Sequence, residues 1–137
     1  MGTMAIRSSG IGIVHATCYP PAMKYHLTHG MAISILMPYV MEYNLISNVE
    51  KYAAVASAMG EKVDGLSALD ASKAAVKAVR QLIEDLGIPS RLRDVGARKE
   101  DFPKFAKTVM KSYPHHVANN PRNVTEEDLV KIYESAW

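Results

Sequence analysis

The chain has 137 residues, 48% of them hydrophobic and 22% charged, which fits one domain with its own hydrophobic core. A formal net charge of +2, with no Arg-rich run and only 7% aromatic residues, excludes the basic stripe and stacking platform of a nucleic-acid binder. Cys18 is the one cysteine, so no intrachain disulfide forms, and a reducing, cytoplasmic setting is expected. The opening MGTMAIRSSG lacks the apolar core of a signal peptide. The longest apolar stretch, residues 31–41, contains Pro38 and is well short of the ~20 residues a membrane helix needs, so no membrane partner is expected.

The first segment, VHATCYPPAMKYHLTHG at 14–30, holds three of the five histidines, the cysteine and a double proline. Along an unbroken helix His15 and His29 would lie ~21 Å apart. Two nitrogens sharing one metal at bonds of ~2.0–2.1 Å must come within ~4 Å of each other. Pro20-Pro21 can bend or end a helix, since each ring removes a donor and clashes with the preceding turn. Thr28 can then cap a new helix starting near His29. His26 and His29, three residues apart, are an alternative pair on one helix face. Cys18 reads as a small buried apolar residue, since no second cysteine supports a zinc or redox role. Gly10-Ile11-Gly12 lacks a preceding strand and a third glycine, so close packing of two helices is its better account.

Residues 31–44 are apolar on most sides and predict a buried central helix. Val49, Tyr52, Ala53 and Ala56 follow a helical stripe, with Ser47-Asn48-Val49-Glu50 as a capping box and Gly60 as the stop. Val76, Val79, Ile83 and Leu86 form the next stripe, ended by Gly87 and Pro89. Phe102, Phe105, Ala106 and Val109 form another, with Pro103 in its first turn. Leu129, Ile132, Tyr133 and Ala136 form the last, capped from Thr125 with acidic residues in the first turn. Residues 60–66, 88–100 and 112–125 read as loops, the last with His115-His116 solvated. No period-two alternation appears, so the domain, residues 1–137, is expected to be all-α.

Several of these stretches resemble the C-terminal helical domain of the iron-containing (group III) alcohol dehydrogenases. They are Gly12-Ile13-Val14-His15, Thr28-His29-Gly30 and Met37-Pro38-Tyr39-Val40-Met41-Glu42-Tyr43-Asn44. KYAAVASAMG, LIEDLGIPSRLRDVG and NNPRNVTEEDLVKIYESAW continue the likeness in order, so that it covers nearly the whole chain from about Ala5. The resemblance implies that His15 and His29 are two metal ligands. It implies Fe²⁺, or sometimes Zn²⁺, acting as a Lewis acid on a small alcohol or aldehyde while hydride passes to or from NAD(P). Tyr19 stands where the family has a second histidine close to the cofactor, and is therefore the candidate catalytic residue. Pro20-Pro21-Ala22 replaces Pro-Leu-Gly, and Thr28 replaces a proline.

The family's other two ligands, an aspartate and a histidine, belong to a region upstream of the matching segment, as does its nucleotide-binding domain. This chain is expected to begin inside a helix of the family's second domain, to lack that cofactor domain, and to be inactive alone. The alternative reading is a stand-alone helical interaction module that self-associates as a homo-oligomer or pairs with a separate nucleotide-binding domain. A third is a small metal-binding protein that completes its site by dimerising.

Overall fold

The structure, a computed structural model, describes residues 10–137. The start of the chain, expected to lie within a helix, falls outside the described residues. Among the described residues seven α-helices follow in order: α1 Ile13–Tyr25, α2 His29–Asn44, α3 Val49–Ala58, α4 Ala68–Asp85, α5 Phe102–Ser112, α6 Pro114–Ala118 and α7 Glu126–Ser135. Short 3₁₀ turns lie at Leu45–Ser47, Leu92–Val95 and Lys99–Asp101. Among the described residues there is no strand, so the all-α expectation holds. No helix of the described residues is long and apolar enough to cross a membrane.

The helix starts obey local hydrogen bonding. Thr28 caps α2 by accepting from the Met31 N–H at 3.4 Å. Ser67 caps α4 and Thr125 caps α7, where Asp128 returns a bond to the Thr125 N–H at 3.1 Å and closes a capping box. Gly60 and Gly87 take positive φ where α3 and α4 stop, a backbone that glycine adopts without a Cβ clash.

Four local expectations need correction. The cap of α3 is Asn48, which accepts from the Lys51 N–H, while Ser47 donates to the Asn44 carbonyl within the preceding 3₁₀ turn. Leu86 is 64% exposed, because α4 has ended at Asp85 and the stripe no longer faces a partner. The supposed loops at 88–100 and 112–125 contain short helical turns, and His115-His116 lie on α6. Gly12 is the N-cap of α1 with open space at its Cβ position, so it packs no second helix. Gly10 does make a close approach: a Cβ there would come within 2.7 Å of the Asn119 side chain.

The larger departure is at Pro20-Pro21. α1 runs straight through both prolines and stops only at His26, whose φ of 53° is left-handed. Proline removes the N–H that would bond the carbonyl four residues back, so Pro21 orphans the Thr17 carbonyl. The Tyr133 hydroxyl of α7 donates to that carbonyl at 2.7 Å, and Tyr133 is completely buried. A partner from the far end of the chain therefore lets the helix continue.

One continuous core takes its side chains from α1, α2, α5, α7 and the 92–97 turn, with Phe102, Phe105 and Tyr133 in mutual ring contact. α3 packs on α4, and α4 on α2, as a hairpin to one side. The end of α2 is tied to the 119–123 segment. Asn44 and Asn120 exchange two amide hydrogen bonds at 2.8 and 2.9 Å, Tyr43 donates to the Asn123 carbonyl at 2.7 Å, and Arg122 lies over the Tyr43 ring.

Candidate metal centre

The site is a corner between two helices. α1 carries His15 on one turn and Cys18 and Tyr19 on the next, and the tight reversal at 26–28 brings the first residue of α2, His29, back against them. His15 Nδ1 and His29 Nε2 stand 3.2 Å apart, with ring centroids separated by 5.1 Å. His26 caps α1 on the other side of the reversal and is exposed. The fold thus pairs His29 with His15 and not with its nearer neighbour.

Two imidazoles on one ion, at bonds of ~2.0–2.1 Å and angles of ~90–109°, place their nitrogens ~2.9–3.4 Å apart. The observed spacing falls inside that window. Imidazole nitrogen suits both Fe²⁺ and Zn²⁺. Among the described residues no group of three or more His, Cys, Asp or Glu could hold a metal ion, so the corner offers two donors and further ligands must come from elsewhere.

The electrostatics favour a neutral His15. Burial holds the His15 imidazole below its ordinary pKa, and the neighbouring His29 and His116 imidazoles push it the same way. Its lone pairs are accordingly not lost to protonation near neutral pH. Burial pushes the Cys18 thiol up to about 11, so with no ion beside it the sulfur keeps its proton near neutral pH. Cys18 is fully buried, as expected for a small apolar residue, yet its Sγ also lies 3.1 Å from the His15 carbonyl and 3.5 Å from His29 Nδ1.

Tyr19, half-buried, stacks on His29 with centroids 5.6 Å apart and an interplanar angle of 17°. Its other contacts are Tyr113 at 4.8 Å and, edge-on, His116 at 6.3 Å. Burial raises the Tyr19 phenol above its ordinary pKa, with Cys18 and Tyr113 adding to the effect, so it is a hydrogen-bond donor and not a base at neutral pH. Sequence reasoning missed Tyr113 and His116. Neither lies at helical spacing from the first segment, and only the packing of α6 on α1 brings them there.

Taken together, fold and corner define an all-helical domain that presents a paired-imidazole site at a helix–reversal–helix. The sequence pattern of the Fe-containing alcohol dehydrogenase family, C-terminal, matches residues 1–137, and the chain belongs to that family as its C-terminal domain. It is 44% identical over 134 residues to lactaldehyde reductase of Escherichia coli (strain K12), covering 98% of this chain and 35% of that protein. It is 33% identical over 136 residues to the NAD-dependent methanol dehydrogenase of Bacillus methanolicus, covering 99% of this chain and 35% of that protein. The solved alcohol dehydrogenase from Oenococcus oeni superposes with a TM-score of 0.88 at 42% identity, over 93% of this chain and 33% of that one. The chain thus spans about a third of the length of the curated relatives it matches.

Proposed function

We propose that this chain is the metal-bearing helical part of an iron-dependent, NAD(P)-linked alcohol dehydrogenase acting on small alcohols and aldehydes in the cytoplasm. His15 and His29 are two of the metal ligands. The observation that carries the reading is the 3.2 Å approach of His15 Nδ1 to His29 Nε2 across the α1–α2 corner. The names of the relatives supply the substrate class: lactaldehyde in one, methanol with NAD in another. When bound, Fe²⁺ or Zn²⁺ supplies Lewis acidity to the alcohol or aldehyde oxygen.

The chain's own residues have distinct tasks. His15 and His29 present imidazole nitrogens from two helix backbones, which fixes their separation. The Tyr19 ring lies flat on His29 and restrains its rotation. Its phenol, held above its ordinary pKa, is no base at neutral pH, so any proton that must leave the site is taken by another group. The remaining ligands belong to a region upstream of the matching segment and NAD(P) to a nucleotide-binding domain, and the described domain alone is expected to turn over no alcohol.

The test is a titration of the full chain with Zn²⁺, or with Fe²⁺ under anaerobic conditions, followed by histidine ring resonances. His15 and His29 should respond first, and His15→Ala or His29→Ala should each remove that response. A first response at His26, His115 or His116 would sink the ligand assignment.

A second reading has one observation in its favour. Val55, Met59, Leu66, Leu69, Leu82 and Leu86 are large apolar side chains exposed around the α3–α4 hairpin. They support a module that self-associates or pairs with a cofactor domain. Sedimentation of the chain, alone and mixed with a nucleotide-binding domain of the family, separates the two. A chain that stays monomeric in both experiments would remove this reading.

A further inference from the structure

The two histidines and Cys18 form a closed set of contacts whose directions can be deduced. Cys18 Sγ lies 3.1 Å from the His15 carbonyl oxygen and 3.5 Å from His29 Nδ1. A carbonyl oxygen can only accept, so the single thiol proton belongs to the shorter contact. That leaves only sulfur lone pairs facing His29 Nδ1. A favourable contact there requires the proton to be on Nδ1, with sulfur accepting. The neutral imidazole has one N–H and one lone pair, so the lone pair of His29 is on Nε2. Nε2 is the atom that faces His15 Nδ1 at 3.2 Å. With no ion between the rings, His15 Nδ1–H donates to it. Every member of the set then donates once and accepts once.

We propose that Cys18 is a positioning residue that fixes His29 as the Nδ1–H tautomer, with the Nε2 lone pair aimed into the α1–α2 corner. The helix makes this possible: residues three apart share a face, so Cys18 can bond the His15 carbonyl while its sulfur meets the incoming first residue of α2. An imidazole with no such partner is free to exchange its proton between both nitrogens, and it loses the acceptor that orients the ring and raises the basicity of its ligating nitrogen. That Nε2 faces a metal rests on the function proposed above. The tautomer itself does not.

The experiment is long-range ¹H–¹⁵N spectroscopy of the ¹⁵N-labelled full chain, metal-free at neutral pH. His29 should show a pyrrole-type shift at Nδ1 and a pyridine-type shift at Nε2. Cys18→Ala should release His29 to a mixture of both tautomers. Cys18→Ser, which keeps a donor and an acceptor on the same β-carbon, should restore the Nδ1–H form. Cys18→Val, similar in bulk but with no acceptor, serves in its place should the alanine variant not fold. A wild-type His29 protonated on Nε2 would overturn the proposal, as would an unchanged tautomer in both apolar variants.

A Zn²⁺ titration then reads the consequence. The midpoint should rise about 10-fold in the apolar variant and return in Cys18→Ser, the size expected for loss of a partner that orients a ligand. An unchanged midpoint in a variant whose tautomer has changed would overturn the positioning role. Wild-type chain whose His15 and His29 ignore Zn²⁺ would refute the ligand assignment while leaving the tautomer result standing, so the two failures are told apart.

Discussion

In the body that carries the imidazoles, the buried side chains include many large ones, Ile13, Ile35, Leu36, Phe102, Phe105, Leu129, Ile132 and Tyr133, beside small ones such as Ala16, Ala32 and Ala106. In the α3–α4 hairpin they are mostly small, Ala56, Ala71, Ala75 and Ala78, with Val76, Val79 and Ile83. The hairpin helices contribute nothing to the continuous core, and six of the exposed large apolar side chains lie on or beside them. Burial of apolar area scales with side-chain size, so the hairpin gains less per residue ordered. The body should therefore hold the site rigid, while the hairpin opens at lower free energy. Amide exchange that is slower in α3 than in α1 would contradict this.

The largest effect that sharpens the contrast is Phe102→Ala. Phe102 is fully buried and stacked on Tyr133 at 5.7 Å. Its removal should cost about 3–5 kcal/mol in denaturant unfolding, whereas Leu86→Ala on the hairpin should stay within about 0.5 kcal/mol. Comparable costs at the two positions would mean that body and hairpin are held equally firmly.

Next is Tyr133→Phe. It keeps the ring but leaves the Thr17 carbonyl, already deprived of a donor by Pro21, without a partner. The expected loss is about 1–3 kcal/mol, with altered amide shifts centred on 16–21. If stability and shifts are unchanged, the account of how α1 passes its prolines is wrong.

The smallest effect is at the α7 cap, where Thr125→Ala should cost about 1 kcal/mol. The same cap sets an acid response. The Thr125 backbone N–H, helped by the Thr125 and Tyr43 hydroxyls, holds the Asp128 carboxyl below its ordinary pKa despite partial burial. A carboxyl with a lowered folded pKa contributes stability that is complete above the unfolded value of ~3.9 and is lost as pH falls through the folded one. The melting temperature should drop across that acid range, and less steeply in Asp128→Asn. Equal slopes in both proteins would exclude Asp128 as the cause.

Sequence alone made most helices legible, because their starts and stops depend on groups within four residues of one another. Thr28, Ser67 and Thr125 each bond an N–H three residues on, and Gly60 and Gly87 supply the left-handed stop. The apolar stripes of α5 and α7 are likewise periodic and face the core as spaced. The same locality explains the errors. Proline's missing N–H is visible in the sequence, but the Tyr133 hydroxyl that compensates for it comes from another helix, so the sequence alone allows a bend or an end at Pro20-Pro21 where α1 continues. The choice between His15 and His26 as the neighbour of His29 depended on where the reversal fell, and the left-handed His26 backbone decided it. Family likeness pointed to His15 and His29. Spacing could say only that a bend was needed, and the 3.2 Å separation is a product of α1 packing on α2. Tyr113, His116 and the Cys18 contact to His29 belong wholly to tertiary structure, whereas the Cys18 contact to the His15 carbonyl is local to α1. The former join atoms that no local hydrogen-bond rule relates, and only burial of a shared core brings them into reach.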